Sequence, residues 1–248
     1  MAARGALRAG AGLVTIASPR EAVAVNAAAN LAVMVFPVDG AVELAEFLAD
    51  KRRNALVLGP GGGVGQAMRH QIQAALASEA AVVLDADALT SAADDLAWLV
   101  AAIAKRRRPV ILTPHAGEYT RLFKVIHEDS NVKSKLEKAC VAARSSGAVV
   151  LFKGADTVVA APDGRASIAD NAPAYLATAG AGDVLAGMIA GLLAQGMPAF
   201  EAASAAVWLH GEAASEFGPG LIAEDLSEAL PAVYRRLFAG LASTEARD

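Results

Sequence analysis

The sequence predicts an α/β fold: a mainly parallel central sheet with helices on both faces. Three observations point to it. Short β-rich runs alternate with longer helical patterns as far as Phe152. The strand runs are apolar throughout instead of alternating, which marks strands covered on both sides. Glycines, acids, a histidine and a lysine gather just past the strand ends and at helix starts. At 248 residues and 55% hydrophobic, the chain can fill a large core, and no linker, repeat or low-complexity tract divides it. A single domain over residues 1–248 is expected.

The elements follow in order. A short helix leads into an apolar strand at 13–17. Arg4 and Arg8 precede small and apolar residues with no acid before Glu21, which loosely mimics a targeting peptide; the strand is the preferred reading. Further strands are expected at 32–36, 55–58, 81–84, 110–113 and 149–152, with helices at 41–53, 64–78, 90–107 and 132–145 between them. After Lys153 the pattern changes. Residues 157–161 and 165–168 flank Pro162-Asp163-Gly164 and read as a β-hairpin turning at Asp-Gly. Three apolar helices, 183–195, 198–217 and 224–239, complete the chain, with Pro198 in a first turn.

Composition excludes several classes. A net charge of -4 supplies no broad basic field for nucleic acid. The one basic run, Lys105 to Arg108, is expected to complement the end of its own helix before Pro109. One cysteine, Cys140, forbids an intrachain disulfide, and it is expected to be a small buried side chain. The four histidines lack metal-protease spacing. The longest uncharged run, 184–200, falls short of a membrane span; within it, Gly187-x-x-x-Gly191 permits close packing on a neighbour. No membrane partner and a cytoplasmic location are expected.

Chemistry concentrates in five motifs. Gly180-Ala-Gly182 precedes Asp183 and an apolar helix. Glycines let a phosphate approach the backbone, and the helix start offers free N–H groups and a positive dipole end. Asp183 has two readings there: an N-cap, or a base that takes a proton from a substrate hydroxyl. Gly59-Pro-Gly-Gly-Gly-Val-Gly65 follows a strand but fits neither the dinucleotide spacing nor a Walker A loop, so it is an open glycine loop near a ligand or a permissive turn. Asp85 and Asp87 lie just past a strand end, where ligands bind in such sheets; either can hold Mg²⁺, or can cap locally. His115, in Thr113-Pro-His-Ala-Gly-Glu118, is placed to touch a ligand. Lys153 ends another strand as a point charge for phosphate.

The segments AGLVTIASP, VLGPGGG, VLDADAL, LTPHAGE, FKGADTVVAAPDG and ATAGAGDVLAGMIAGLLAQG, in this order, resemble the ADP/ATP-dependent NAD(P)H-hydrate dehydratase family of the ribokinase-like superfamily. The resemblance runs from Ala6 to about Leu237. It implies a ribokinase-like three-layer fold and the dehydration of the S epimer of hydrated NADH or NADPH, with ADP or ATP as co-substrate and Mg²⁺ as cofactor. It implies that Asp183 contacts the hydrate as base and that Gly61 and His115 contact the hydrate. Lys153, Gly154, Ala155, Asp156, Thr157 and Gly182 would hold the adenine nucleotide; the metal ligands stay unassigned. Relatives suggest a homo-oligomer and a functional link to an NAD(P)H-hydrate epimerase. They also begin with a further strand and a Gly-rich loop. Here Met1–Leu7 matches the helix after them, so that strand is expected to be absent and a neighbouring strand edge to lie unpaired. Two other readings stay open: a ribokinase-like kinase for a small alcohol, and a nucleotide-binding homologue without catalysis.

Overall fold

Consecutive residues of the central strands serve opposite cores. Ala81 and Val83 face one, Val82 and Leu84 the other, and Val149 and Leu151 alternate likewise with Val150 and Phe152. A strand flanked in this way must be apolar at every position, and all four residues of 81–84 and of 149–152 are buried.

A computed structural model describes residues 1–129 and 131–245. The chain runs α1 (Ala2–Arg8), β1 (Thr15–Ser18), α2 (Val23–Ala29), β2 (Met34–Pro37), α3 (Gly40–Leu48), β3 (Ala55–Leu58), α4 (Gln66–Ala77), β4 (Ala81–Leu84), α5 (Asp87–Ala92) and α6 (Leu96–Ala104). It continues with β5 (Val110–Leu112), α7 (Ala116–Leu122), α8 (Lys124–Glu128), α9 (Lys135–Ser146), β6 (Val149–Phe152), β7 (Thr157–Ala160) and β8 (Ala166–Ala169). Helices α10 (Ala181–Ala194), α11 (Ala199–Phe217) and α12 (Ala223–Glu245) follow. Strands β3-β4-β5-β6-β7-β8 form one sheet in that order, parallel as far as β6 and antiparallel beyond it. Helices α10, α11 and α12 cover one face; α4, α5, α6, α7 and α9 cover the other. The result is the expected three-layer arrangement.

Four local expectations need correction. Strands β1 and β2 do not join the main sheet; they pair only with each other, in parallel. β3 is therefore an edge strand, and none of its four residues is fully buried. The helix expected at 90–107 breaks into α5, a 3-10 turn at Ala93–Asp95 and α6. Asp95 stops the first part by capping the second, its side chain accepting from the Trp98 N–H at 2.9 Å. Within the basic run, the Arg106 side chain does not serve its own helix. Arg106 crosses to the end of α4 and the segment after it, where its guanidinium donates to the carbonyls of Ala75 (3.2 Å), Leu76, Ser78 (3.1 Å) and Ala80 (2.5 Å). Cys140 is only partly buried.

The Gly187-x-x-x-Gly191 pair does find a neighbour, namely α1. A Cβ on Gly187 would stand 2.0 Å from the Ala2 carbonyl oxygen, and one on Gly191 2.5 Å from that of Ala6. These two glycines let the backbones of α1 and α10 meet. No described helix is long and apolar enough to cross a membrane.

Candidate active site

The parallel strands β3, β4, β5 and β6 end on one side of the sheet, and their exits are cross-tied. Gly59 leaves β3 with φ 128°, and a Cβ there would lie 1.7 Å from the Asp85 carbonyl oxygen, so only glycine allows the β3 and β4 exits to touch. The rest of the glycine loop hangs on the same neighbour. The Gly63 N–H donates to Asp87 Oδ2 at 2.9 Å, and the Gly65 N–H to Ser91 Oγ at 3.0 Å. Gly61, at the crest, has open space where a side chain would be.

Lys153 is the hub. It leaves β6 with its N–H donating to the Pro114 carbonyl at 2.8 Å. Its ammonium donates to Asp85 Oδ1 at 2.7 Å and stands 3.8 Å from Glu118 Oε2. The Thr113 hydroxyl donates to the same Asp85 oxygen at 2.8 Å. Asp85 is 1% exposed, so this pairing is what makes its charge tolerable there. An ammonium has three donors, and one goes to Asp85, which leaves capacity for an anion.

His115 caps α7. Its Nδ1 accepts from the Gly117 N–H at 2.9 Å and the Glu118 N–H at 3.4 Å, while the His115 backbone N–H donates to Glu118 Oε2 at 2.8 Å. That reciprocal box fixes the ring, which stays half-exposed at the mouth of the site, Nε2 lying 3.5 Å from Glu118 Oε1.

Asp183 is not the cap of its helix. Gly180 holds that position with φ 86° and no side chain, and Asp183 is the third residue of α10. Among the described residues no donor bonds its carboxylate, and the N–H groups of Gly182 and Asp183 are without acceptors. These are the orphan donors of a helix start, at the positive end of its dipole. Half-burial, and next the negative field of Asp85, raise the Asp183 carboxyl above the ordinary aspartate range. Lys153 lies close by, its Nζ 3.4 Å from where a Gly182 Cβ would be.

Beside Lys153 opens a cavity of about 290 Å³ lined by Ala116, Lys135, Phe152, Gly154, Ala155 and Asp156. The Thr157 hydroxyl donates to the Gly154 carbonyl at 3.1 Å and closes the loop beneath it. Asp156 pairs with Lys135, across the same lining, at 3.0 Å. The structure thus brings Asp183, Gly182 and Lys153 together, puts Gly154, Ala155 and Asp156 on the adjoining cavity and leaves His115 and Gly61 at the rim. Sequence reading gave no site role to Thr113, Glu118 or Lys135. Glu118 was visible as the fourth residue of a capping box; Thr113 and Lys135 sit here only because distant segments meet.

The three-layer architecture with its glycine-led helix start is a ribokinase-like fold. A ribokinase-like superfamily protein of Enterococcus faecalis superposes with a TM-score of 0.74 at 22% identity, over 95% of this chain and 81% of that one. The family model described as NAD(P)H-hydrate dehydratase matches residues 1–231, and the chain belongs to that family. It is 35% identical over 257 residues to the bifunctional NAD(P)H-hydrate repair enzyme Nnr of Salinibacter ruber, covering 96% of this chain and 46% of that protein. The chain thus spans about half the length of such curated bifunctional relatives. The ADP/ATP-dependent NAD(P)H-hydrate dehydratase of Bacillus subtilis, co-crystallised with ATP and Mg²⁺, gives a TM-score of 0.74 at 29% identity, over 95% of this chain and 83% of that one.

Proposed function

We propose that this protein uses ADP or ATP to dehydrate the S epimer of NADH or NADPH hydrate. The observation that carries the reading is the convergence at α10: two unpaired N–H groups, the Lys153 ammonium and an unbonded carboxylate, Asp183. The first three suit a transferring phosphoryl group, and the carboxylate suits the hydroxyl that receives it. The terminal phosphoryl bond of the nucleotide breaks as the ring hydroxyl oxygen bonds phosphorus, and the hydroxyl proton passes to Asp183. Phosphate then departs with the C–O electron pair, and loss of the neighbouring C–H proton restores the double bond. Hydroxide is a poor leaving group and phosphate a good one, so the protein's contribution is positioning and charge stabilisation.

In this reading Lys153, Gly154, Ala155, Asp156, Thr157 and Gly182 hold the nucleotide, while Gly61 and His115 touch the hydrate. No group of three ligating side chains occurs among the described residues. That suits Mg²⁺, which takes one or two carboxylates and completes its shell with phosphate and water. The Asp85 and Asp87 carboxylates, whose fields reach Asp183, would be candidate oxygen donors for it. When bound, the ion would neutralise phosphate charge. An epimerase that interconverts the two hydrate epimers is the natural companion activity, and a homo-oligomer is part of the same proposal.

The test is absorbance at 340 nm with S-NADHX, Mg²⁺ and ADP or ATP, against a control without nucleotide. A nucleotide-dependent rise is expected. A folded protein that produces none removes the dehydratase reading, and a stable phosphoester product in its place would identify a kinase.

A further inference from the structure

One buried ionisable side chain stands behind the site. His210, in the middle of α11, is only 7% exposed, and its Nε2 lies 3.0 Å from the carbonyl oxygen of Ala181, the first residue of α10. A carbonyl accepts, so Nε2 carries the hydrogen and donates it. Burial lowers the imidazole pKa to about 4, so the ring is neutral at neutral pH. Its neighbours on α11, Ala206, Val207, Leu209, Ala213 and Ala214, are all buried and apolar. A polar ring at this depth is costly unless its hydrogen bond is made.

The carbonyl it holds belongs to the peptide whose N–H is that of Gly182. A trans peptide is planar, so its C=O and N–H point in opposite directions. Anchoring the oxygen on His210 therefore aims the Gly182 N–H away from α11. Gly180 caps the helix without a side chain, and among the described residues His210 is the one side chain that hydrogen-bonds this turn. We infer that His210 is a positioning residue: its Nε2–H fixes the Ala181–Gly182 peptide plane, so that the Gly182 N–H is presented to the nucleotide phosphate with Asp183 following at a set angle. This rests on the phosphate-binding role proposed above for the start of α10.

The test compares His210→Phe, which keeps a ring and loses the donor, with His210→Gln, whose side-chain N–H lies near the position of Nε2. Calorimetric titration with ADP and Mg²⁺ reads nucleotide affinity without any turnover, so it stays informative even if hydrate is not the substrate. His210→Phe is expected to weaken ADP by about 10-fold, the effect of one hydrogen bond to a charged group. His210→Gln is expected to restore most of that loss. Where turnover is measured, the KM for nucleotide should rise while the KM for hydrate stays unchanged, whereas partial unfolding would lower apparent kcat and move neither KM. Wild-type ADP affinity in His210→Phe, or a Gln variant no better than Phe, overturns the inference. Should His210→Phe not fold, His210→Asn replaces it: its amide is too short to reach, and equal affinity in the Asn and Gln variants overturns the inference equally.

Discussion

Asp183 is the residue for which the sequence left two roles open and the structure removes one. Its type and place after Gly180-Ala-Gly182 allowed a plain N-cap, and only the coordinates show the cap taken by Gly180 and the carboxylate left unbonded. Asp183→Asn is expected to keep ADP binding and lose about 100-fold or more in kcat, the scale of a general base; near-normal turnover would remove Asp183 from the chemistry. Because burial raises its pKa, the acid limb of the kcat/KM profile should lie above the usual aspartate range. The linkage runs the same way. The folded state holds this proton more readily than the unfolded chain, so the carboxyl's favourable contribution is full in acid and is lost as pH rises through the raised pKa. Asp183→Asn should therefore melt above wild type at neutral pH, with the gap closing in acid. Lys153 was legible as a lysine at a strand end, but its partner was not: Asp85 is 68 positions away in sequence. Lys153→Ala is expected to weaken ADP and also to cost about 3 kcal/mol in urea unfolding, because it strands a buried carboxylate. Adding Asp85→Asn should recover stability and not affinity. Unchanged ADP affinity in Lys153→Ala would contradict its nucleotide role.

Strands and helices were legible wherever local signals agreed. β3, β4 and β6 fall on their expected residues because a continuous apolar run bounded by turn formers has few other solutions. The 90–107 segment did not, since its helical periodicity hid a cap at Asp95. Arg106 could not be read correctly from its own neighbourhood, because the carbonyls it serves belong to the end of α4 and the segment after it, 26 to 31 positions earlier in the chain. The α1–α10 contact is the clearest case of a motif whose meaning depends on its partner. Gly187→Ala would thrust a methyl group to 2.0 Å from the Ala2 carbonyl oxygen, and backbone cannot yield there without moving α1. We expect a loss of about 1–3 kcal/mol in the urea midpoint analysis, the range for overpacking. A variant as stable as wild type would mean that α1 does not press on α10 in solution.

The whole molecule is uneven in its cohesion. The six-stranded sheet is clamped between two extensive apolar cores, whereas the pair β1–β2 packs on α2, touches α3 through Phe36 against Phe47, and is flanked by a small cluster of Val38, Leu44 and Leu48. Around that pair Leu13, Val25, Leu31, Met34 and Phe36 are exposed. Local opening follows such differences in buried contact. Hydrogen exchange should therefore show the amides of β1 and β2 exchanging through a lower-energy opening than those of β4 and β6. Equal protection in both sheets would show that the molecule opens as one unit.

The sequence by itself determined the layer order, the hairpin at Asp163-Gly164 and the family, because apolar periodicity, turn chemistry and motif order are local or linear properties. Only the tertiary structure decided that Lys153 answers Asp85, that Arg106 serves α4, that His210 holds the start of α10 and that β1 and β2 stand apart. Each of those is a contact between segments far apart in the chain, chosen by packing geometry that no local window contains.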